Sequence, residues 1–416
     1  MKETFFLRIF FAVYQLLWYS ITPLLVRFGR IKEGRAERTM REVNFSKVDL
    51  WLHAASVGEA YLARQLIKCL GVERQLDILI TTNTLQGRTI LEQDFGKSSH
   101  SVTVAYMVFD NPALVKKAVE IADPELLVLI ELEIWPALMA EMKRRGRKII
   151  IVNGRMTEKS FNSYKKARAL WRVLKPDTIL AISEEDKARF TALFDLDSTY
   201  YVSNMKFDRM EKCQIVTGKR SGRRLLVLAS IRKEEEAQVL YIIEGLLAKF
   251  PELEIGLFPR HMHRVKKWTE ILSGKNISWV LKSTGDDNYS CSVVIWDVFG
   301  ELINAYRRAD ATFVGGSLAP LGGQNFIEAF MNGVVPVTGP SISNFLWTGQ
   351  EVIRDGLLRK GNSREEVLQL LVDSLENPGD KVLIQQKANN YIGLKQGGSI
   401  KTCQYIAALL PPSETH

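Results

Sequence analysis

In this chain carboxylates, cations and glycines gather just after apolar runs, and these are the residue types that proton transfer and phosphate binding require. After the run 48–53 comes Ala54-Ala55-Ser56-Val57-Gly58-Glu59, a small-residue turn opening a helix. It places the Glu59 carboxylate at the carboxyl end of a strand, where it can take a proton from a bound hydroxyl. A first-turn glutamate that only complements the helix dipole fits the same position. Glu131 and Glu133 follow the run 126–130, and strand alternation predicts that both lie on one face. Two like charges there call for a cation, either within a site or in a structural salt bridge. Lys206, in Asn204-Met205-Lys206-Phe207-Asp208, has the charge to neutralise a phosphate or simply to face solvent.

The second half repeats the pattern with different chemistry. The run 253–258 leads into Pro259-Arg260-His261-Met262-His263-Arg264, where Arg260 suits a phosphodiester through paired donors. His261 and His263 have no evident third ligand, so no metal is expected. Asp297-Val298-Phe299-Gly300-Glu301-Leu302 is a strand exit with a glycine that lets backbone approach a ligand. The stretch 230–236 reads as helix amides offered to an anion or as a capped helix start. In 311–345 an apolar run ends in Gly315-Gly316-Ser317, and Gly322-Gly323 leads through Gln324 and Asn325 into a helical pattern. Amides at that helix start are suited to phosphate and Glu328 to ribose hydroxyls; an ordinary strand-loop-helix unit with glycines for tight turns accounts for the residues equally well.

These segments need strands to hold them. Short β-rich runs at 48–53, 77–82, 126–130, 148–152 and 178–182 alternate with helical patterns. After a polar, basic stretch at 209–224, a second series follows at 225–229, 254–258, 278–281, 293–295, 311–314 and 334–338. Such alternation marks βαβ units on parallel sheets, and the interruption reads as an interdomain linker. Two doubly wound halves bind ligands beyond the carboxyl ends of their strands, here expected in a cleft between them. From residue 362 to about 410 the chain reads as helical.

With 416 residues, 46% hydrophobic, the chain exceeds one ordinary core. A formal charge of +9 favours anionic partners. Dispersed cations without a nucleic-acid module point away from nucleic acid. Cys69, Cys213, Cys291 and Cys403 lack metal-ligand spacing and read as inert thiols in a reducing compartment. Residues 9–26 carry no charge, are rich in aromatics and precede Arg27, Arg30, Lys32, Arg35, Arg38 and Arg41, so a spanning helix or an interfacial anchor is expected, with the bulk of the chain cytoplasmic. No small-residue cleavage site follows, which argues against a signal peptide.

Taken together, the segments 53–59, 81–87, 131–136, 153–160, 206–208, 259–261, 300–302, 313–318 and 322–328, with Gly339-Pro340 and Asn344-Phe345, resemble the 3-deoxy-D-manno-octulosonic acid (Kdo) transferases of Gram-negative bacteria. The resemblance implies a GT-B α/β architecture: a membrane anchor in 1–30, an acceptor-binding Rossmann-like domain in 31–212, a CMP-Kdo-binding Rossmann-like domain in 213–395 facing it across a cleft, and a C-terminal helix and tail in 396–416. It implies inverting transfer of Kdo from CMP-Kdo to the lipid A precursor at the cytoplasmic face of the inner membrane, with no metal or cofactor. Glu59 then matches the general base, and Glu131 and Lys206 match groups that stabilise the transition state. Pro259, Arg260, Phe299, Gly300, Glu301, Asn325, Phe326, Ile327 and Glu328 match the segments that hold CMP. Arg232, Glu234 and Gln324 stand where the family commonly carries His, Gly and His. A UDP-sugar transferase or epimerase, and a non-catalytic membrane-associated binding protein on the same scaffold, are the alternatives.

Overall fold

The computed structural model describes residues 2–25, 33–72, 74–93, 99–211, 222–284 and 291–411. Arg27, Arg30 and Lys32 of the expected basic flank, and residues 212–221 of the expected linker with Cys213, lie outside them. The chain divides into two compact units, Met1–Arg209 together with Lys395–His416, and Met210–Leu394.

The first unit holds a parallel sheet of β1 (Leu50–His53), β2 (Asp77–Thr82), β3 (Ser101–Tyr106), β4 (Leu126–Ile130), β5 (Lys148–Gly154), β6 (Thr178–Ala181) and β7 (Thr199–Tyr201), in the order β3-β2-β1-β4-β5-β6-β7. Helices cover both faces, so the central strands are apolar at every position rather than at alternate ones. All five residues of β4 are buried. Alternate side chains feed two cores: Leu127 and Leu129 join Trp51, Ile149 and Ile151 on one face, while Leu126, Val128 and Ile130 join Leu50, Leu52 and Ile150 on the other. Truncating any of them to Ala is expected to cost about 2–5 kcal/mol.

The first helix, α1 (Lys2–Leu25), lays Leu7, Phe10, Phe11 and Tyr14 against this unit, and Trp18 meets Phe109 at 5.7 Å between ring centroids. Its opposite side exposes Ile9, Val13, Leu16, Leu17, Ile21 and Leu24. Among the described residues no helix is long and apolar enough to cross a membrane. α1 has the form of a helix docked on the first unit with an apolar outer side.

Glu59 lies in α2 (Val57–Cys69), which follows β1. The last helix, α3 (Gly398–Leu409), belongs to the same unit and packs on α2. Gln65 of α2 donates to Ser399 Oγ at 2.5 Å, and Cys69 and Cys403 bring their sulfurs to 2.6 Å, so these two thiols, far apart in sequence, form a neighbouring pair. Just before α3, the Asp208 carboxylate accepts the amides of Gly397 and Ser399, each at 2.6 Å, which ties the turn carrying Lys206 to the C-terminal helix.

The second unit repeats the plan with β8 (Leu225–Ile231), β9 (Glu254–Pro259), β10 (Trp279–Leu281), β11 (Val293–Ile295), β12 (Ala311–Val314), β13 (Pro336–Thr338) and β14 (Arg359–Lys360), in the order β10-β11-β9-β8-β12-β13-β14. In each sheet the chain winds outward one way and then the other. The direction reverses between β1 and β4 in the first sheet and between β8 and β12 in the second, the places where open α/β sheets leave room for ligands.

Candidate active site

In the first unit Glu59 and Glu131 follow the two strands of the reversal point, whereas in the second the candidate residues follow β9, β11 and β12. In the first unit, Ser56 caps α2 by accepting the amide of Glu59, while Glu59 Oε1 accepts from Ser56 Oγ at 2.6 Å and Oε2 from the Ala55 amide at 2.7 Å. Glu59 thus serves as a cap as well as a reactive group. Its side chain is buried, and burial raises its pKa above the ordinary carboxylate value; the negative charges of Glu133 and Glu131 push in the same direction, against the hydrogen bonds from Ser56 and Ala55.

Glu131 and Glu133 follow β4 but are not part of it, so strand alternation does not aim them. Glu131 sits in the left-handed region at φ 61°, and this turn swings it towards Lys206, whose Nζ donates to Glu131 Oε1 at 2.6 Å. Left-handed backbone in a bulky residue is uncommon and gathers at functional sites. Asn153, another left-handed residue at φ 51°, ends β5 and accepts the Met205 amide at 3.0 Å, holding the turn that carries Lys206. Glu133 Oε2 accepts from the Trp135 indole at 3.0 Å and lies 3.6 Å from His53 Nε2. His53 and Asn153 were missed as site residues. The signal available was that each is a polar residue within or at the end of a strand that is otherwise apolar.

The second unit is built largely from backbone. Glu235, fully buried, accepts the amides of Gly316 at 2.5 Å, Ser317 at 3.2 Å, Leu318 at 3.2 Å and Arg232 at 3.0 Å. The amides that follow Gly315 are thus taken by a carboxylate of the chain itself. A Cβ at Gly315 would come within 2.5 Å of Glu235 Oε1 and 2.8 Å of the Ser230 carbonyl, so glycine is there for close packing. The helix that follows, Ile327–Met331, is too short for a strong dipole. Phe326 and Ile327 turn their side chains into the core, Phe326 against Phe345 at 5.1 Å, leaving only their backbone for a ligand.

The remaining candidates of this unit lie in the loops after β9, β11 and β12. The Arg260 amide donates to the Ile231 carbonyl at 2.9 Å, joining the ends of β8 and β9, and its exposed guanidinium makes no ion pair among the described residues. The pKa of His261 is lowered by desolvation and then by the nearby charges of Arg232 and Arg260. Arg264 is committed to Glu236 by two hydrogen bonds. Pro259 is buried at the end of β9. Phe299 is 82% exposed beside Gly300 at φ 87°, and Glu301 accepts the Trp296 indole at 3.1 Å. Asn325 donates to Glu328 at 2.7 Å, and burial raises the Glu328 pKa.

Comparisons with known proteins bear on the family and the fold. The profile described as 3-deoxy-D-manno-octulosonic-acid transferase (kdotransferase) matches residues 24–209. A 3-deoxy-D-manno-octulosonic acid transferase of Rickettsia felis is 30% identical over 321 residues, covering 74% of this chain and 68% of that protein. One from Bordetella pertussis is 28% identical over 402 residues, covering 92% of this chain and 91% of its own length. A glycosyltransferase structure from Rickettsia africae superimposes with a TM-score of 0.57 at 12% identity, and a UDP-N-acetylglucosamine 2-epimerase with 0.57 at 13%, each covering 89% of this chain and 100% of its own. These two structural likenesses speak to the GT-B fold alone. By its sequence relatives, the chain belongs to the 3-deoxy-D-manno-octulosonic acid transferase family of glycosyltransferases.

Proposed function

We propose that this enzyme transfers Kdo from CMP-Kdo to a hydroxyl of the phosphorylated disaccharide lipid that precedes lipid A, with inversion at the anomeric carbon. The observation that carries the reading is the buried, proton-attracting carboxylate of Glu59 beside the Glu131–Lys206 pair at the reversal point of the first sheet. Glu59 takes the hydroxyl proton as the oxygen attacks the anomeric carbon; the bond from that carbon to the phosphate oxygen breaks, and CMP leaves with the electron pair. Displacement on the opposite side of the sugar inverts the centre without a covalent intermediate. Lys206, oriented by Glu131, answers charge developing in the transition state. In the second unit Arg260 meets the phosphate through its planar donors, and Glu328 accepts from the ribose hydroxyls.

The acceptor is a membrane lipid in this reading, and the apolar outer side of α1 rests on the cytoplasmic surface of the inner membrane. Transfer from CMP-Kdo to the lipid A precursor, followed by mass spectrometry of the lipid, tests the activity. Glu59→Gln is expected to lower kcat by about 10²–10⁴-fold with little change in CMP affinity. Wild-type turnover in that variant would remove Glu59 as the base.

A further inference from the structure

Beside the proposed base stands a histidine to which the transfer scheme gives no part. His53 closes β1 and is fully buried. Its Nδ1 lies 3.0 Å from Thr81 Oγ1, which itself accepts the Trp51 indole at 2.9 Å. The buried Thr81 hydroxyl finds the acceptor for its own proton in Nδ1, and that assignment places the ring proton on Nε2. Nε2 is a buried nitrogen with no hydrogen-bond partner, aimed at Glu133 Oε2 from 3.6 Å. That distance is beyond a hydrogen bond, and a buried donor left unpaired is costly, so the arrangement is one movement short of complete. The Trp135 ring meets the imidazole edge-on at 6.0 Å and gives its own N–H to the same Glu133 oxygen. Two donors therefore converge on one carboxylate, and contacts of this kind often tighten only when substrate is bound.

We propose that His53 is a positioning residue for the transfer reaction: with Trp135 it clamps the Glu133 carboxylate beside Glu59, so that the fixed negative charge of Glu133 keeps Glu59 a strong proton acceptor. The inference rests on Glu59 being the base. The charged groups facing Glu59 are Glu133 and Glu131, and Glu131 is paired with Lys206. Those facing Glu133 are His53, Glu59 and the Tyr164 phenol, whose pKa is raised by burial and then by Glu133. A like charge nearby favours the protonated carboxyl, so losing or misplacing Glu133 makes Glu59 a weaker base that is deprotonated at lower pH.

The test is the pH profile of kcat/KM for Kdo transfer in Glu133→Gln, His53→Leu, His53→Gln and the double variant His53→Leu/Glu133→Gln, with Glu59→Gln alongside. Glu133→Gln and His53→Leu are each expected to move the acid limb to lower pH and to lower kcat about tenfold. His53→Gln, whose amide N–H can replace Nε2–H, restores the limb. The double variant behaves as Glu133→Gln alone, because both changes remove one interaction. An unmoved limb in Glu133→Gln, or losses that multiply in the double variant, overturns the inference. Glu133 is partly exposed, so its substitution and His53→Gln decide the matter even where His53→Leu does not fold. Wild-type activity in Glu59→Gln removes the base itself, whereas an inactive Glu59→Gln with an unmoved limb in Glu133→Gln removes only the positioning role.

Discussion

The two units share a topology yet furnish their reversal points differently. In the first, side chains face one another: Lys206 is bound to Glu131, His53 faces Glu133, and Glu59 is held by its own helix cap. In the second, one buried carboxylate gathers four backbone amides, while the exposed Arg260 has no ion pair among the described residues. A site that moves protons needs groups whose charges are already set against one another, so that small displacements change a pKa. A site that holds an anion needs a stiff frame and a cation still free to meet it. Under the proposed function, this contrast suits proton transfer in the first unit and donor holding in the second.

The change expected to strain that contrast most is Lys206→Met. The Lys206–Glu131 pair is about a quarter exposed on each side, so breaking it is expected to cost stability less than about 1 kcal/mol. If Lys206 acts on developing charge, kcat falls by about 10²-fold while the unfolding temperature and CMP affinity hold. A loss confined to CMP affinity would instead move Lys206 into the donor-holding class. Titration of CMP against the variant, together with single-turnover transfer, separates the two outcomes.

The skeleton of this arrangement is legible in the sequence. Strands buried on both faces read as continuous apolar runs, so β2, β4, β11 and β12 appear with their full extents. Of the edge strands, β10 was read at 278–281, whereas β3, β7 and β14 were not. β3 reads Ser-Val-Thr-Val-Ala-Tyr with its first residue exposed, and β14 is the pair Arg359–Lys360, whose cations carry no strand signal. Glu59 and Glu131 could be singled out because they follow apolar runs, and Lys206 because it stands just before the polar, basic stretch at 209–224. Glu235 was not: it lies in Lys233-Glu234-Glu235-Glu236, and nothing local says which carboxylate turns inward. Its partners in the glycine loop lie some 80 residues further along, a long-range contact that no local pattern announces.

A smaller effect sharpens the other half of the comparison. Glu235→Gln keeps the volume but replaces an acceptor-only group with one that carries an amide donor. Buried amides then face N–H instead of oxygen, and the expected cost is about 2–3 kcal/mol. Because the loop after β12 adjoins Asn325 and Glu328, CMP binding is expected to weaken, while the pH limb assigned to Glu59 stays where it is. Thermal unfolding and CMP titration read the first two, and the transfer profile reads the third. A moved acid limb in this variant would mean that the division of labour between the units is wrong.

The smallest effect concerns α1. Asp110 is buried and accepts from the Tyr14 hydroxyl of α1 at 2.9 Å and from the amides of Ala137 and Leu138 at 2.9 and 3.0 Å. Burial pushes its pKa up to about 7, and those hydrogen bonds, which favour the charged form, only partly oppose it. A folded-state pKa above the ordinary carboxylate value means that the folded protein holds a proton which the unfolded chain has released. The contribution of Asp110 is therefore greatest below about pH 4 and is lost as pH rises through about 7. Asp110→Asn cannot titrate, so the unfolding temperature of the wild type, measured against that variant, is expected to decline from pH 5 to pH 7.5. A difference that stays flat, or one that grows with pH, would show that the hydrogen bonds from Tyr14 and the two amides outweigh burial. Asp110 would then be a permanently charged tether for α1.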